Sequence, residues 1–512
     1  MKQILLTIAF ANLLPAQQVC PPTPAWQLCE ITLPATDPTL RAEFRGPSHR
    51  TFLIPSFTES GQQHLRIVPT EPGTWDYRIT SADPAWNTKE GTFTATASDA
   101  PVYIEVANVH HFRYSASKQP HLWAGDTGTH TRILASTAND AAILAIHKSG
   151  KTADLVLPPD ANLPKAIARF GALNITWQVA AEFESQDREE IRKRAEFIKA
   201  ADQYRHLISS GTTATSGPLA ADGWLNYLTY RSPNGDAPAI EHQVYQLPAV
   251  NDFGFGITDT DQFRHALWRT TMDGAYPASH APSAAAEAQM QNWVKFMSAT
   301  RHWELEPFFD AEGRRALALE GVEYIVYLEQ PGPVSVTVEK HNYDVAWFNP
   351  ISGESIEEKK NLKTETFTGE PPDNAHDWVL HISREGHKAG MLRSYKFESR
   401  EILQQELEAN PAKVPFEITQ PSGESISLKK PGSFSAKLTK DTKATKAMRF
   451  LWTAEVTADG QSYRVVGTGR EGQLVIPPAL AKRLPALLHL RVEGLNGVGK
   501  LYTLDRNYQL IP

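Results

Sequence analysis

Apolar and polar positions change period twice along this chain. From about Trp26 to Ala97 they alternate. His64-Leu65-Arg66-Ile67-Val68 leads through Pro72-Gly73 into Trp75-Asp76-Tyr77-Arg78-Ile79, with Trp75, Tyr77 and Ile79 on one face. A period of two around a Pro-Gly turn predicts a hairpin with one buried side. Gly91-Thr92-Phe93-Thr94-Ala95-Thr96 adds a strand, and Ser98-Asp99-Ala100-Pro101 reads as a linker. From about 101 to 310 short apolar runs (Leu122 to Asp126, Asp154 to Leu157, Ile175 to Val179) alternate with helical patterns. Asp187 to Tyr204 puts Ile191, Ala195, Ile198 and Ala201 on one face with Arg and Glu opposite, and Ala284 to Met297 gives a further helix. Strands alternating with helices predict a parallel sheet or barrel. After Pro307 the period returns to two. Tyr324 to Leu328 turns at Gln330-Pro331-Gly332-Pro333 into Val334 to Val338, followed by Val345 to Phe348 and Asp377 to Ile382. A polar stretch from Glu385 to Asn410 precedes a last β-rich part with Phe450 to Val456 and Leu487 to Val492.

The fold class expected is therefore multidomain, α/β plus all-β. It comprises an N-terminal β-sandwich over 18–98, a compact or incomplete (β/α)8 barrel of TIM type over 101–310, and two C-terminal β-sandwiches over 311–390 and 398–512. Residues 1–17 read as an export signal. Lys2 is the positive start, Ile4 to Leu14 an apolar run too short to span a bilayer, and Pro15-Ala16-Gln17 a small-residue cleavage region. The expected location is periplasmic or extracellular, without membrane insertion. The two cysteines, Cys20 and Cys29, could pair there.

With 512 residues and a formal charge of -7, the chain is long enough for several cores and gives no basic footprint for nucleic acid. Twelve Trp and fifteen Tyr suit both sandwich cores and sugar faces.

The chemistry concentrates at two apolar runs that end in carboxylates. Asn174 to Ala181 ends in Glu182, and Val244 to Val250 ends in Asn251-Asp252. The carboxyl end of a buried strand is where a (β/α) barrel places its reacting groups. Glycoside hydrolysis needs one carboxylic acid to protonate the leaving oxygen and a second to attack or to activate water. Glu182 and Asp252 are the catalytic pair expected, with Glu184 a rival for the first; a helix cap or a loop salt bridge is the bland alternative for each. Asp126, Trp123, Trp177, Asn251, Tyr276 and His280 are the expected substrate-binding residues. Gly467 to Gly472 fits the dinucleotide fingerprint as a string, but Leu474-Val475-Ile476-Pro477-Pro478 follows where a helix should, so a β-turn is expected instead. His110-His111 has no Cys or carboxylate at local metal-ligand spacing. No metal and no cofactor is expected.

Several motifs, in order, resemble a known architecture. Pro72 to Tyr77 with Gly91-Thr92-Phe93 resembles a small sandwich that precedes glycosidase barrels. Phe112-Arg113-Tyr114, Leu122-Trp123-Ala124-Gly125-Asp126-Thr127, Arg169-Phe170-Gly171-Ala172, Thr176-Trp177-Gln178 and Pro248 to Gly254 resemble the apiosidase-like barrel family. Val345 to Pro350 with Gly353-Glu354, then Asp377 to Leu380, resembles a collagen-binding-type sandwich. The resemblance implies a glycoside hydrolase of plant or microbial polysaccharide, with the acid/base after the fourth strand and the nucleophile after the seventh. Glu182 falls at the first position. At the second the family has a glutamate near the Asn-Asp pair, where this chain goes from Asp252 to Phe253-Gly254. The lost methylene displaces the carboxylate by about 1 Å, which can cost on the order of 100-fold in rate. Fewer than 60 residues separate Gly125 from Glu182, few for three strand–helix steps. These departures support an alternative, a carbohydrate- or matrix-binding protein on a degenerate barrel.

Overall fold

One strand explains how the first hundred residues fold. In Gly73–Thr80 the side chains of Trp75, Tyr77 and Ile79 are buried and those between them reach solvent, as strict alternation requires. This strand lies inside a five-stranded sheet in the order Thr23–Pro24, Glu90–Thr96, Gly73–Thr80, Arg41–Arg45, Thr51–Pro55. A second sheet joins Cys29–Leu33, Gln62–Ile67 and Phe57–Glu59. Cys20 and Cys29 form a disulfide with Cα atoms 6.0 Å apart. These observations come from a computed structural model that describes residues 20–34, 37–100, 103–125, 128–384, 408–427, 432–475 and 478–512. The expected export signal and Asp126 lie outside the described residues.

The chain forms two compact units, and the first also takes residues 162–173 and 201–204 from within the α/β part of the sequence. Helix Leu163–Phe170 begins at Asn162, whose side chain accepts from the backbone N of Lys165 at 3.0 Å. Buried Arg66 donates to the Arg169 carbonyl at 2.8 Å and to Glu30 at 2.6 Å. The Tyr204 hydroxyl accepts from the backbone N of Val68 at 2.9 Å.

Among the described residues, the second unit holds seven strands in two parallel sheets. His130–Leu134, Thr152–Val156, Ile175–Gln178 and Ile208–Ser209 form one; Leu228–Tyr230, Ala249–Asn251 and Tyr276–Pro277 form the other. Four and three strands fall short of a complete eight-stranded barrel. The segment Leu122–Gly125 passes beside the end of the last strand, where a Cβ on Gly125 would stand 2.2 Å from the Ser279 carbonyl oxygen. Helices Arg188–Ala201 and Ala284–Ser298 form where the sequence pattern puts them. Ile191, Ala195 and Ile198 are buried as the periodicity requires, whereas Ala201 is half-buried. Among the described residues no helix is long and apolar enough to cross a membrane.

Residues 306–384 build one six-stranded antiparallel sheet in the order Glu306–Phe308, Arg315–Leu319, Glu323–Leu328, Trp378–Arg384, Val334–Phe348, Ser355–Gly369. The expected turn at 330–333 joins two strands that are not neighbours, because Trp378–Arg384 inserts between them. One core cluster runs without a break from the helices into this sheet: Trp268, Phe296 and Met297 share it with Leu317, Ile325, Phe348 and Val379. A buried ion pair reinforces the junction. Arg264 bonds Asp377 at 2.9 Å, and the Tyr327 hydroxyl donates to the same carboxylate at 2.9 Å. Burial pushes the Asp377 carboxyl up, but His265 and Arg264 outweigh it and hold it down at about 2.

The last part is a sandwich of two sheets. One holds Phe416–Gln420, Gly432–Leu438 and Glu471–Leu474; the other holds Ser425–Ser427, Leu501–Ile511, Ala486–Leu495, Arg449–Ala458 and Gln461–Thr468. Gly467 to Gly472 spans the end of one strand, a turn and the start of the next, so it forms no phosphate-binding helix start.

Candidate active site

Side-chain alternation selects what the parallel strands offer at their carboxyl ends. Arg132 pairs in register with Asp154, and Asp154 with Thr176. These side chains therefore share a face of the sheet. Asp154 is buried and fully bonded. It accepts from the Thr176 hydroxyl at 2.6 Å, the Tyr227 hydroxyl at 3.1 Å and the Gln178 amide. Burial pushes its carboxyl up, Thr176, Arg132 and Tyr227 pull it down, and Asp252 adds to the upward push. The net shift is upward, so a proton is easier to keep here than on a free carboxylate.

Above this floor lies a narrow, open cleft lined by Arg132, Asp154, Gln178, Thr212, Arg231 and Asp252 among others. Arg231 is its hub. It bonds Glu182 at 2.7 Å, approaches Asp252 at 4.0 Å and lies under the Phe255 ring at 4.6 Å. Phe255 is 70% exposed, the largest exposure among the sizeable apolar side chains. Asp252 also receives Arg132 at 3.5 Å and the Ser279 hydroxyl at 3.1 Å. Gly211 lets two strand ends close on the cleft, for a Cβ there would meet the Ala181 carbonyl oxygen at 2.1 Å.

The structure thus brings Glu182 and Asp252 to one arginine, with Asp252 lining the cleft and Glu182 at its rim, 44% exposed. Glu184 turns away, one of its oxygens accepting from Thr212 and twice from Thr213. Trp123 is interior packing: it stacks on His130 with ring centres 3.4 Å apart and touches Phe112 and Tyr227. Trp177 is fully buried. Asn251, one residue before Asp252, points to the opposite face, where its amide donates to Ser232 O and the Thr270 hydroxyl. Tyr276 is buried with its hydroxyl 2.8 Å from His111 Nδ1. His280 is exposed and does not line the cleft. Sequence reasoning missed Arg132, Asp154 and Arg231. The signal for Asp154 was present, since an acid in the apolar run Ala153 to Leu157 needs a partner inside.

Two further polar clusters lie in this unit. A cleft between the parallel region and the last sandwich is lined by Glu241, Tyr245, Arg464, His489, Arg491 and Glu493. Burial pushes the Glu241 carboxyl up to about 8 and that of Glu493 up to about 7. Elsewhere His110, His242 and Glu306 gather with His111 beside them, a set of donors that could hold a metal ion.

A family model described as "Putative collagen-binding domain of a collagenase" matches residues 310–383, which hold five of the six strands of the antiparallel sheet. No curated protein matches the sequence. Among solved structures, the chain resembles one described as a putative glycoside hydrolase from Bacteroides vulgatus ATCC 8482. The TM-score is 0.59 at 14% identity, covering 71% of this chain and 99% of that one. The fold is shared with that protein. A calcium-binding mutant of Bacteroides uniformis beta-glucuronidase 2 aligns at a TM-score of 0.32 and 10% identity over 95% of this chain and 75% of that one. Bacillus subtilis type I pullulanase with maltose aligns at 0.29 and 8% over 71% and 85%. Both likenesses are too weak to carry an argument.

Proposed function

We propose that this chain is an exported glycoside hydrolase that cleaves O-glycosidic bonds of plant or microbial polysaccharide in the strand-end cleft. The convergence of Glu182 and Asp252, from two strand ends, on Arg231 carries this reading. Glu182 serves as acid/base and Asp252 as nucleophile or base, and the buried Asp154 network fixes the floor beneath them. A substrate reaching the two carboxylates competes with Arg231 for them. The shared fold with a protein described as a putative glycoside hydrolase supports the class. The Cys20–Cys29 bond supports an oxidising compartment. N-terminal sequencing of the protein from culture medium or periplasm is expected to begin just after Gln17; a retained Met1 would refute export.

The test of activity is a panel of aryl glycosides and plant polysaccharides given to wild type, Glu182→Gln and Asp252→Asn. Turnover abolished by both substitutions in folded protein is the expected result, and turnover untouched by Asp252→Asn would exclude its role. The ion pairs of Glu182 and Asp252 with Arg231 favour one second reading, a carbohydrate-binding cleft without turnover. That reading predicts saturable glycan binding with no hydrolysis in wild type.

A further inference from the structure

His110, His242 and Glu306 bring their donor atoms within 4.8 Å of one another from three distant parts of the chain. His110 directly precedes strand His111–Tyr114, His242 ends helix Asp236–Glu241, and Glu306 opens strand Glu306–Phe308. The two imidazoles are buried, and the carboxylate is a quarter exposed.

The hydrogen bonds around them decide where the protons are. A carbonyl oxygen only accepts, so the 2.9 Å contact of His110 Nε2 with Tyr245 O places the proton on Nε2. In the neutral ring Nδ1 is then a bare lone pair, and it faces Glu306 Oε2 at 3.1 Å. His242 Nε2 approaches the same oxygen at 2.6 Å. His111 Nε2, buried and without a hydrogen-bond partner, stands 3.4 Å from Glu306 Oε1. A lone pair aimed at a carboxylate repels it unless the positive charge of a second ring proton or of a metal cation lies between them.

We propose that this positive charge is a divalent cation of the zinc type, bound by His110 Nδ1, His242 Nε2 and the Glu306 carboxylate. Imidazole nitrogen with carboxylate oxygen is a donor set that suits zinc. The Tyr245 carbonyl on His110 Nε2 is the outer bond that fixes a ligating ring in the right tautomer. Bonds of about 2.1 Å place tetrahedral donors roughly 3.4 Å apart, so the 2.6 and 3.1 Å contacts have to open and the donors that stand up to 4.8 Å apart have to close. His111 Nε2 lies against the other oxygen of the Glu306 carboxylate, at 3.4 Å, and steadies it. The cation ties together the segment before the parallel strands, the middle of the parallel region and the start of the six-stranded sheet, so its role is structural. Local spacing around His110-His111 gave no hint of it, since the other two ligands lie more than a hundred residues away.

The test uses tag-free full-length chain stripped with chelator and titrated with Zn²⁺ alone in a calorimeter. X-ray absorption at the zinc edge of the loaded protein counts the imidazoles. One saturable equivalent, at least two imidazole ligands and a higher melting temperature with Zn²⁺ are expected. His242→Gln and Glu306→Gln are expected to weaken binding tenfold or more. Absence of saturable binding, fewer than two imidazoles in wild type, or unchanged affinity in folded variants would overturn the proposal. If both variants fail to fold, the wild-type absorption spectrum decides alone.

Discussion

Two clefts of the second unit hold carboxylates in contrasting conditions. At the strand ends, Glu182 and Asp252 each meet an arginine. In the cleft against the last sandwich, Glu241 is bonded by the Thr215 hydroxyl, and the neighbouring Glu493 adds negative charge to that of Glu241. Burial is a cost to every charged carboxylate, and well-placed cations and hydrogen-bond donors offset it. So the first cleft turns ion-paired carboxylates towards a ligand above a buried Asp154 that favours its proton, and the second holds protons that it releases near neutral pH.

That contrast can be broken in graded steps. Asp252→Asn removes the charged group that lines the first cleft, and activity on a cleaved glycoside is expected to fall by roughly 100-fold or more; steady-state kinetics on a folded variant check it. Asp154→Ala leaves the hydroxyls of Thr176 and Tyr227 and the Gln178 amide without their acceptor. A loss of about 3 kcal/mol in urea unfolding is expected, with Asp154→Asn costing less. Glu241→Gln sharpens the other side. A carboxyl raised to about 8 when folded stabilises the protein fully at low pH and loses that contribution as pH climbs towards about 8. Wild type should therefore lose stability from about pH 5 to pH 8 relative to Glu241→Gln, by roughly 3 kcal/mol. Melting curves of both across that range give the answer, and a constant difference would contradict it. Smallest is Arg231→Met, expected to cost about 1 kcal/mol because Glu182 and Asp252 both reach water. Its use is in making the first cleft resemble the second.

Much of the fold was legible because local periodicity fixed it. Trp75, Tyr77 and Ile79 had to share a face in any strand, and Ile191, Ala195 and Ile198 in any helix. Strand pairing was not local. The Pro-Gly signal at 330–333 reports a chain reversal but not that Trp378–Arg384 will insert between the two strands. The ownership of helix Leu163–Phe170 by the first unit depended equally on tertiary partners such as Arg66. At the site, the strand-end rule located Asp252, while alternation within the same strand sent Asn251 to the far face. The aromatics misled for a different reason. Trp123 and Trp177 lie near chemistry in sequence, but large rings at strand positions fill the interior first.

The continuous core beneath the six-stranded sheet bears on how this protein can be taken apart. A sequence match bounded at residues 310–383 invites treating that range as an exchangeable cassette. Its inner face, however, is completed by Trp268 and Phe296 of the helices, and its Asp377 by Arg264. Excised alone, the sheet would expose an apolar face of Leu317, Ile325, Phe348 and Val379 to water together with a buried acid stripped of its cation. The two parts are therefore one unit of expression and of inheritance: a domain graft that respects only the boundaries of the match carries half of a core.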